Sequence, residues 1–246
     1  MSHLFYFVIP HHSPKEGDIV LQGEEAHHAI RVVRVKAGEH IGFIDGQGGK
    51  WFCKVTNICK DILTAKIIKY QYIQKETDVC LIIGWLHRDN AIETLVTYGT
   101  EMGISEFRFF QSERSTRPIR RDDKIKRWVV QSCKIVGRPW FPNVTMHEGL
   151  LSAIKDFEGK LLIATASHSS MSISQVDCSK PCGLIIGPEG DFSENEIATA
   201  EKAGAKPIYL GPDVYRSELS ALLGSFFILG KQGYFEKSPQ NNFSFD

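Results

Sequence analysis

No apolar run in these 246 residues approaches the roughly 18 that would suggest a membrane span, so no intramembrane segment is expected. The opening residues 1–12, rich in aromatics and broken by Pro10, are too short to read as a secretory leader. Net charge is missing as well: 29 Lys and Arg balance 29 Asp and Glu, which argues against a uniformly basic nucleic-acid binder. The six cysteines, Cys53, Cys59, Cys80, Cys133, Cys178 and Cys182, are scattered. Only the last two stand close, and no second pair offers metal-ligand spacing, so no metal is expected and reduced thiols in a cytoplasmic protein are. Neither a P-loop nor a GxGxxG fingerprint is present, which removes the commonest nucleotide-binding readings. No internal repeat is visible, so a solenoid is not expected.

What is present divides near residues 74–76. Before that point, short β-prone runs at 5–9, 40–44, 51–55 and 63–68 alternate with glycine turns, among them Asp45-Gly46-Gln47-Gly48-Gly49. Such spacing suggests a small barrel, with one short helix over 23–30 that ends near Arg34. After it, continuous apolar runs at 79–83, 106–110, 161–165, 183–186 and 207–210 read as strands buried on both faces. Helical stretches lie between them, notably 89–102, closed by Gly103, and 122–136. Strand–helix alternation predicts a parallel α/β domain. Charge is segregated: residues 108–138 hold ten Arg or Lys against Glu113, Asp122 and Asp123. A polyanion-facing surface and a solvated helix face explain that run equally well.

Two segments carry the chemistry. In 184–196 a buried strand enters Gly187-Pro188-Glu189-Gly190, and Ser193 with Glu196 form a capping-box pattern that starts a helix. The two glycines would let a ligand approach the backbone, at the end of a parallel strand where open α/β sheets bind ligands. A plain strand–turn–helix connection would look similar. In 208–222 a second short strand leads to Leu210-Gly211-Pro212-Asp213-Val214-Tyr215-Arg216, and an apolar helix follows from about Ser217. Arg216 and Glu218 are ligand contacts there, or else a mutual ion pair or helix-start charges.

These segments resemble the cofactor motifs of the RsmE family of 16S ribosomal RNA uridine-N3 methyltransferases, members of the SPOUT superfamily. The family motifs read approximately GPEGGFS-x-x-E and LG-x-RILR-x-ETA. Residues 28–39 with 45–49, Thr100-Glu101-Met102-Gly103-Ile104, and the stretch from Gln131 to Pro139 are similar to further family signatures in the same order. The departures are Asp191 for a glycine, Asp213 for an arginine, Leu219 for a threonine and Ser220 for an alanine. The stretch Leu86-His87-Arg88-Asp89-Asn90 lacks a usual lysine, and Thr165-Ala166 lacks a usual glutamate.

The resemblance implies a PUA-like RNA-binding β-barrel over 1–73, a SPOUT-type trefoil-knotted parallel-sheet methyltransferase domain over 74–236, and a frayed tail over 237–246. It implies a homodimer acting on 16S rRNA, within the small ribosomal subunit. S-adenosylmethionine would be held by Ile186, Gly187, Pro188, Glu189, Gly190, Leu210, Gly211, Val214, Tyr215, Arg216 and Leu219. Uridine N3 is a poor nucleophile until it loses its proton, so Arg216 is expected to stabilise the developing anion, with Glu218 or a water as proton acceptor. RNA would be gripped by Arg31, Arg34, Lys36, Arg114, Arg117, Arg120 and Arg121, mostly through phosphates. The competing readings are an RNA-binding protein of this fold without methyl transfer, a SPOUT enzyme acting on another RNA site, and an ordinary nucleotide-binding α/β enzyme.

Overall fold

The computed structural model describes residues 4–120, 123–165 and 170–236; Arg121 and the tail over 237–246 lie outside them. The described chain forms two compact units. The first takes residues 4–75 and, from far along the chain, 130–141. The second holds the rest.

The first unit is a five-stranded sheet in the order β1-β3-β4-β5-β2, formed by β1 (Tyr6–Val8), β2 (Asp18–Leu21), β3 (His40–Ile44), β4 (Gly49–Cys59) and β5 (Ile62–Tyr72). Period-2 patterning places Cys53 and Val55 inside and Lys54 outside, and register shifts at 52/53 and 55/57 interrupt the β4–β5 ladder as bulges do. The helix expected over 23–30 is α1 (Gly23–His27), which widens into a π turn over His28–Val33. Arg34 ends it in the left-handed region, at φ 61°, where a non-glycine residue is uncommon. The segment 137–141 is stitched to this unit: Trp140 Nε1 donates to the Ile73 carbonyl at 2.7 Å and the Gly48 amide to the Pro139 carbonyl at 2.9 Å.

The second unit is a seven-stranded sheet in the order β10-β12-β9-β11-β6-β7-β8, parallel at every pairing. Its strands are β6 (Val79–Gly84), β7 (Glu106–Phe110), β8 (Asn143–His147), β9 (Lys160–Ala164), β10 (Met171–Ser172), β11 (Cys182–Ile186) and β12 (Lys206–Tyr209). Its helices are α2 (Asp89–Met102), α3 (Asp123–Val136, whose last residues belong to the first unit), α4 (Leu150–Ile154), α5 (Glu194–Lys202) and α6 (Ser217–Lys231). Buried residues of α4 and α5 share one core cluster with residues of the sheet, while α2 and α6 pack together and α6 lies on β6 and β11. Every residue of β6 and β11 is buried, as continuous apolar strands covered on both faces must be. Sequence pattern missed β8 and β10. The first is a polar edge strand without a fully buried residue, and the second has two residues.

The order matters for the site. The chain lays β6, β7 and β8 outward in succession, crosses back to β9, and then inserts β11 between β9 and β6. Strand ends that are distant in sequence therefore stand side by side.

Candidate active site

Both glycine-bearing bends open into one cavity of about 330 Å³ at the carboxyl ends of β9, β11 and β12. That is the place and scale expected of a small-molecule site in a parallel sheet. Of the residues expected there, Ile186, Gly187, Pro188, Glu189, Leu210, Gly211, Val214, Tyr215 and Arg216 line it. Gly190, Glu218 and Leu219 do not. A Cβ on Gly190 would sit 2.9 Å from the Arg114 carbonyl oxygen, so this glycine serves a close backbone approach from the neighbouring loop. Leu219 sits on an exposed face of α6. The carboxylate of Glu218 accepts from Arg88 Nη2 at 3.2 Å.

The lining also includes Arg88, Ala164, Thr165, Asp191, Ile208, Tyr209, Asp213, Ser217 and Ser220, none of which pattern reading placed in the cofactor set. Five of them stand where the sequence departs from the family motifs: Arg88, Thr165, Asp191, Asp213 and Ser220. Asp191 explains itself. It takes the left-handed conformation, φ 62°, and its Oδ1 accepts from the Phe192 amide at 2.8 Å. Aspartate is among the few residues that replace glycine there, because its short side chain bonds the backbone locally.

The first bend is held by its acids. Both Glu189 carboxylate oxygens accept from the His87 amide, at 3.0 and 3.1 Å, so this side chain fastens the turn to the loop after β6. Gly84, the last residue of β6, meets the same turn: a Cβ would lie 2.6 Å from Pro188 Cδ. The capping box at α5 is formed, Ser193 Oγ accepting from the Glu196 amide at 3.1 Å. Buried Glu196 also accepts from the Ser112 hydroxyl at 3.1 Å and the Glu113 amide at 3.2 Å, tying in the loop after β7.

The residues expected to grip RNA are placed as follows. Arg34 and Lys36 are exposed in the first unit, and Arg31 makes a 3.5 Å contact with exposed Asp61. In the second unit Arg120 is exposed, and Arg114 donates to the Gly190 carbonyl at 3.2 Å. Arg117 is committed elsewhere. Its guanidinium donates to the Leu86 carbonyl at 3.0 Å and to Asp89, and lies over the Trp85 ring. The arginine holds the Asp89 carboxyl below its ordinary range. Arg117 is thus a clasp on the loop after β6, with little of its charge left for a phosphate.

The cavity suits the adenosine end of S-adenosylmethionine. Ile186, Ile208 and Leu210 offer apolar walls, and a Cβ on Gly187 would come 3.2 Å from the Asp191 carbonyl carbon, so this glycine lets the bend fold tightly at the cavity. A Cβ on Gly211 would come 3.0 Å from the Tyr215 hydroxyl. Among the described residues no three His, Cys, Asp or Glu side chains gather as metal ligands would, and no helix is long and apolar enough to cross a membrane.

A parallel α/β unit with this cavity defines a class, and comparison with known proteins agrees. Residues 74–224, more than half of the chain, match the family model described as an RNA methyltransferase domain, and residues 21–68 match the RNA methyltransferase PUA domain. The chain belongs to that RNA methyltransferase family. Its curated relatives include the ribosomal RNA small subunit methyltransferase E of Bacillus subtilis, 26% identical over 82% of this chain and 86% of the relative. That of Aquifex aeolicus is 25% identical over 89% and 96%. The fold is shared with ribosomal RNA small subunit methyltransferase E of Neisseria gonorrhoeae, solved with S-adenosylmethionine bound, at a TM-score of 0.83 and 22% identity over 93% of this chain and 98% of that one.

Proposed function

We propose that the protein methylates N3 of a uridine in small-subunit ribosomal RNA, with S-adenosylmethionine as donor. The observation that carries this is the single cavity into which both glycine-bearing bends open at the strand ends. The bound donor supplies an electrophilic methyl on a sulfonium; the protein need only hold it and ready the base. Apolar walls and backbone of the two bends hold the adenosine. Arg216, at the mouth of α6 and exposed, faces developing negative charge on the base. Glu218 is engaged by Arg88, which leaves water as proton acceptor.

The division of labour follows the two domains: 1–73 as a PUA-like RNA-binding module and 74–236 as a SPOUT methyltransferase whose chain closes a trefoil knot. Insertion of β11 between strands laid earlier supports the knotted path. The working form is a homodimer. α6 exposes Leu219, Leu223 and Phe226 at helical spacing, with Phe226 stacked on Phe235 at 4.6 Å, an apolar face suited to a second copy. The place of action is the cytoplasm, in keeping with six free thiols.

The test is mass-spectrometric mapping of ribosomal RNA from cells lacking the protein. One N3-methyluridine of the small subunit should vanish, and return with the gene. An unchanged map refutes the assignment.

A further inference from the structure

The loop that follows β6 is fastened at each residue before Arg88. The Ser115 hydroxyl donates to the Trp85 carbonyl at 3.0 Å, Arg117 to that of Leu86, and the His87 amide to Glu189. His87 Nδ1 also lies 2.8 Å from Thr116 Oγ1. Arg88 therefore leaves a fixed backbone and enters the cavity lining from the β6 side. Its partner Glu218 is only 13% exposed, in the first turn of α6. Glu218 Oε1 takes the guanidinium, while Oε2 is shut from solvent with no hydrogen bond.

A carboxylate desolvated to that degree is unfavourable without a cation, and a helix start alone relieves little of it. Arg88 neutralises it with one donor of five, which leaves the other donors of a side chain 47% exposed for the cavity. From the α6 side comes Arg216, whose guanidinium makes no hydrogen bond among the described residues. Two guanidiniums thus border one small space, whose lining also holds Glu189, bonded to the His87 amide, Asp191, bonded to the Phe192 amide, and Asp213. Uracil N3 lies between two carbonyl oxygens, and its conjugate anion spreads charge over both.

We propose that Arg88 is a second catalytic cation, binding one carbonyl oxygen of the uracil imide while Arg216 binds the other, and that Glu218 is the positioning residue that holds Arg88 in place. This rests on the uridine-N3 reading above. Two cations favour the anion, so N3 gives its proton to water at a pH where free uridine keeps it, and its electron pair becomes available. Glu218 contributes by fixing Arg88, and takes no proton itself.

Single-turnover methylation across pH tests this, on RNA with uridine or 5-fluorouridine at the target. Calorimetric affinity for S-adenosylmethionine is measured beside it. Arg88→Gln should slow uridine methylation about a hundredfold, the usual scale for losing one preorganised donor. Its rate profile should move to higher pH, and 5-fluorouridine, with its more acidic N3, should recover much of the loss. Arg88→Lys should restore part of the rate, and Glu218→Gln should fall between wild type and Arg88→Gln. Donor affinity should not change in any of them. Wild-type rate and profile in Arg88→Gln, or an equal deficit on both RNAs, overturns the proposal. So does lost donor affinity, which would assign Arg88 to the donor. A wild-type protein that binds the donor but leaves uridine N3 unmethylated overturns the functional reading itself.

Discussion

Removing the Glu196 carboxylate should cost more than any other single polar change at the edge of the cavity. The side chain is 4% exposed and accepts three hydrogen bonds: from the Ser193 amide at 2.9 Å, the Ser112 hydroxyl at 3.1 Å and the Glu113 amide at 3.2 Å. Bonds to a charged acceptor contribute about 1.5–3 kcal/mol each. Three that share one carboxylate do not add, and water entering the gap satisfies part of what is left, so Glu196→Ala should lose roughly 3–4 kcal/mol. At about 2–4 °C per kcal/mol for a chain of this size, the melting temperature should fall by roughly 10 °C. Glu196→Gln keeps one acceptor oxygen and the side-chain volume, and should lose about half as much. Calorimetry reads the shift, and hydrogen exchange at the Glu113 and Ser193 amides reads its place. The consequence for function follows from position: Ser193 is two residues from Asp191, which lines the cavity, so donor affinity should weaken with stability. A melting shift below about 2 °C, or unchanged exchange at both amides, would refute this account of Glu196.

Gly84→Ala drives a methyl to 2.6 Å from Pro188 Cδ and 2.8 Å from Pro188 N, so it should destabilise by about 1–3 kcal/mol and weaken donor binding; calorimetry with the donor checks it. Arg117→Ala should lower turnover by loosening the loop before Arg88 while leaving the salt dependence of RNA affinity unchanged. Arg120→Gln, by contrast, should reduce the slope against log salt by about 0.7–0.9 if it meets a phosphate. Lys50, 5% exposed above the Tyr6 ring, has its pKa lowered to about 8 by burial. The unfolded chain therefore binds the extra proton between pH 8 and the ordinary lysine value. Stability should rise with pH across that window, and the penalty is fully present below it. Lys50→Met should raise the melting temperature at neutral pH and flatten that rise.

The elements that build the site were legible because burial wrote them into the sequence. A strand buried on both faces, such as 79–83 or 183–186, has no choice but continuous apolar residues, and a bend that meets a ligand or another backbone shows as glycine. The same logic reached Gly187, Gly211 and the capping box, since these depend on neighbours in sequence. It failed where the determinant was a partner far along the chain. β8 pairs with β7 as a polar edge, and nothing in its five residues announces a strand. Gly190 was expected to let a ligand approach, but it lies outside the cavity lining and what approaches it is the Arg114 backbone, 76 positions away.

Charged residues show the same limit most sharply, and they carry the chemistry. Arg114, Arg117, Arg120 and Arg121 form one basic run by composition, yet Arg117 is tied to the loop after β6 through the Leu86 carbonyl and Asp89, while Arg114 gives one donor to the Gly190 carbonyl. Glu218 was expected beside Arg216 as a proton acceptor, and its carboxylate faces Arg88, 130 positions earlier. A side chain's charge is a property of the residue, but whether that charge remains available is a property of the fold. Arg88 is the converse case, marked in the sequence only by a stretch that lacks a usual lysine, and brought to the cavity by a clasped loop and a buried acid. For that reason the useful comparison is Arg88→Gln against Arg117→Ala. Both remove one positive charge near the same loop, but only the first removes it from the lining. Rescue by a more acidic uracil should therefore follow Arg88 and not Arg117; equal rescue of both would mean that general field, rather than placement, governs the reaction.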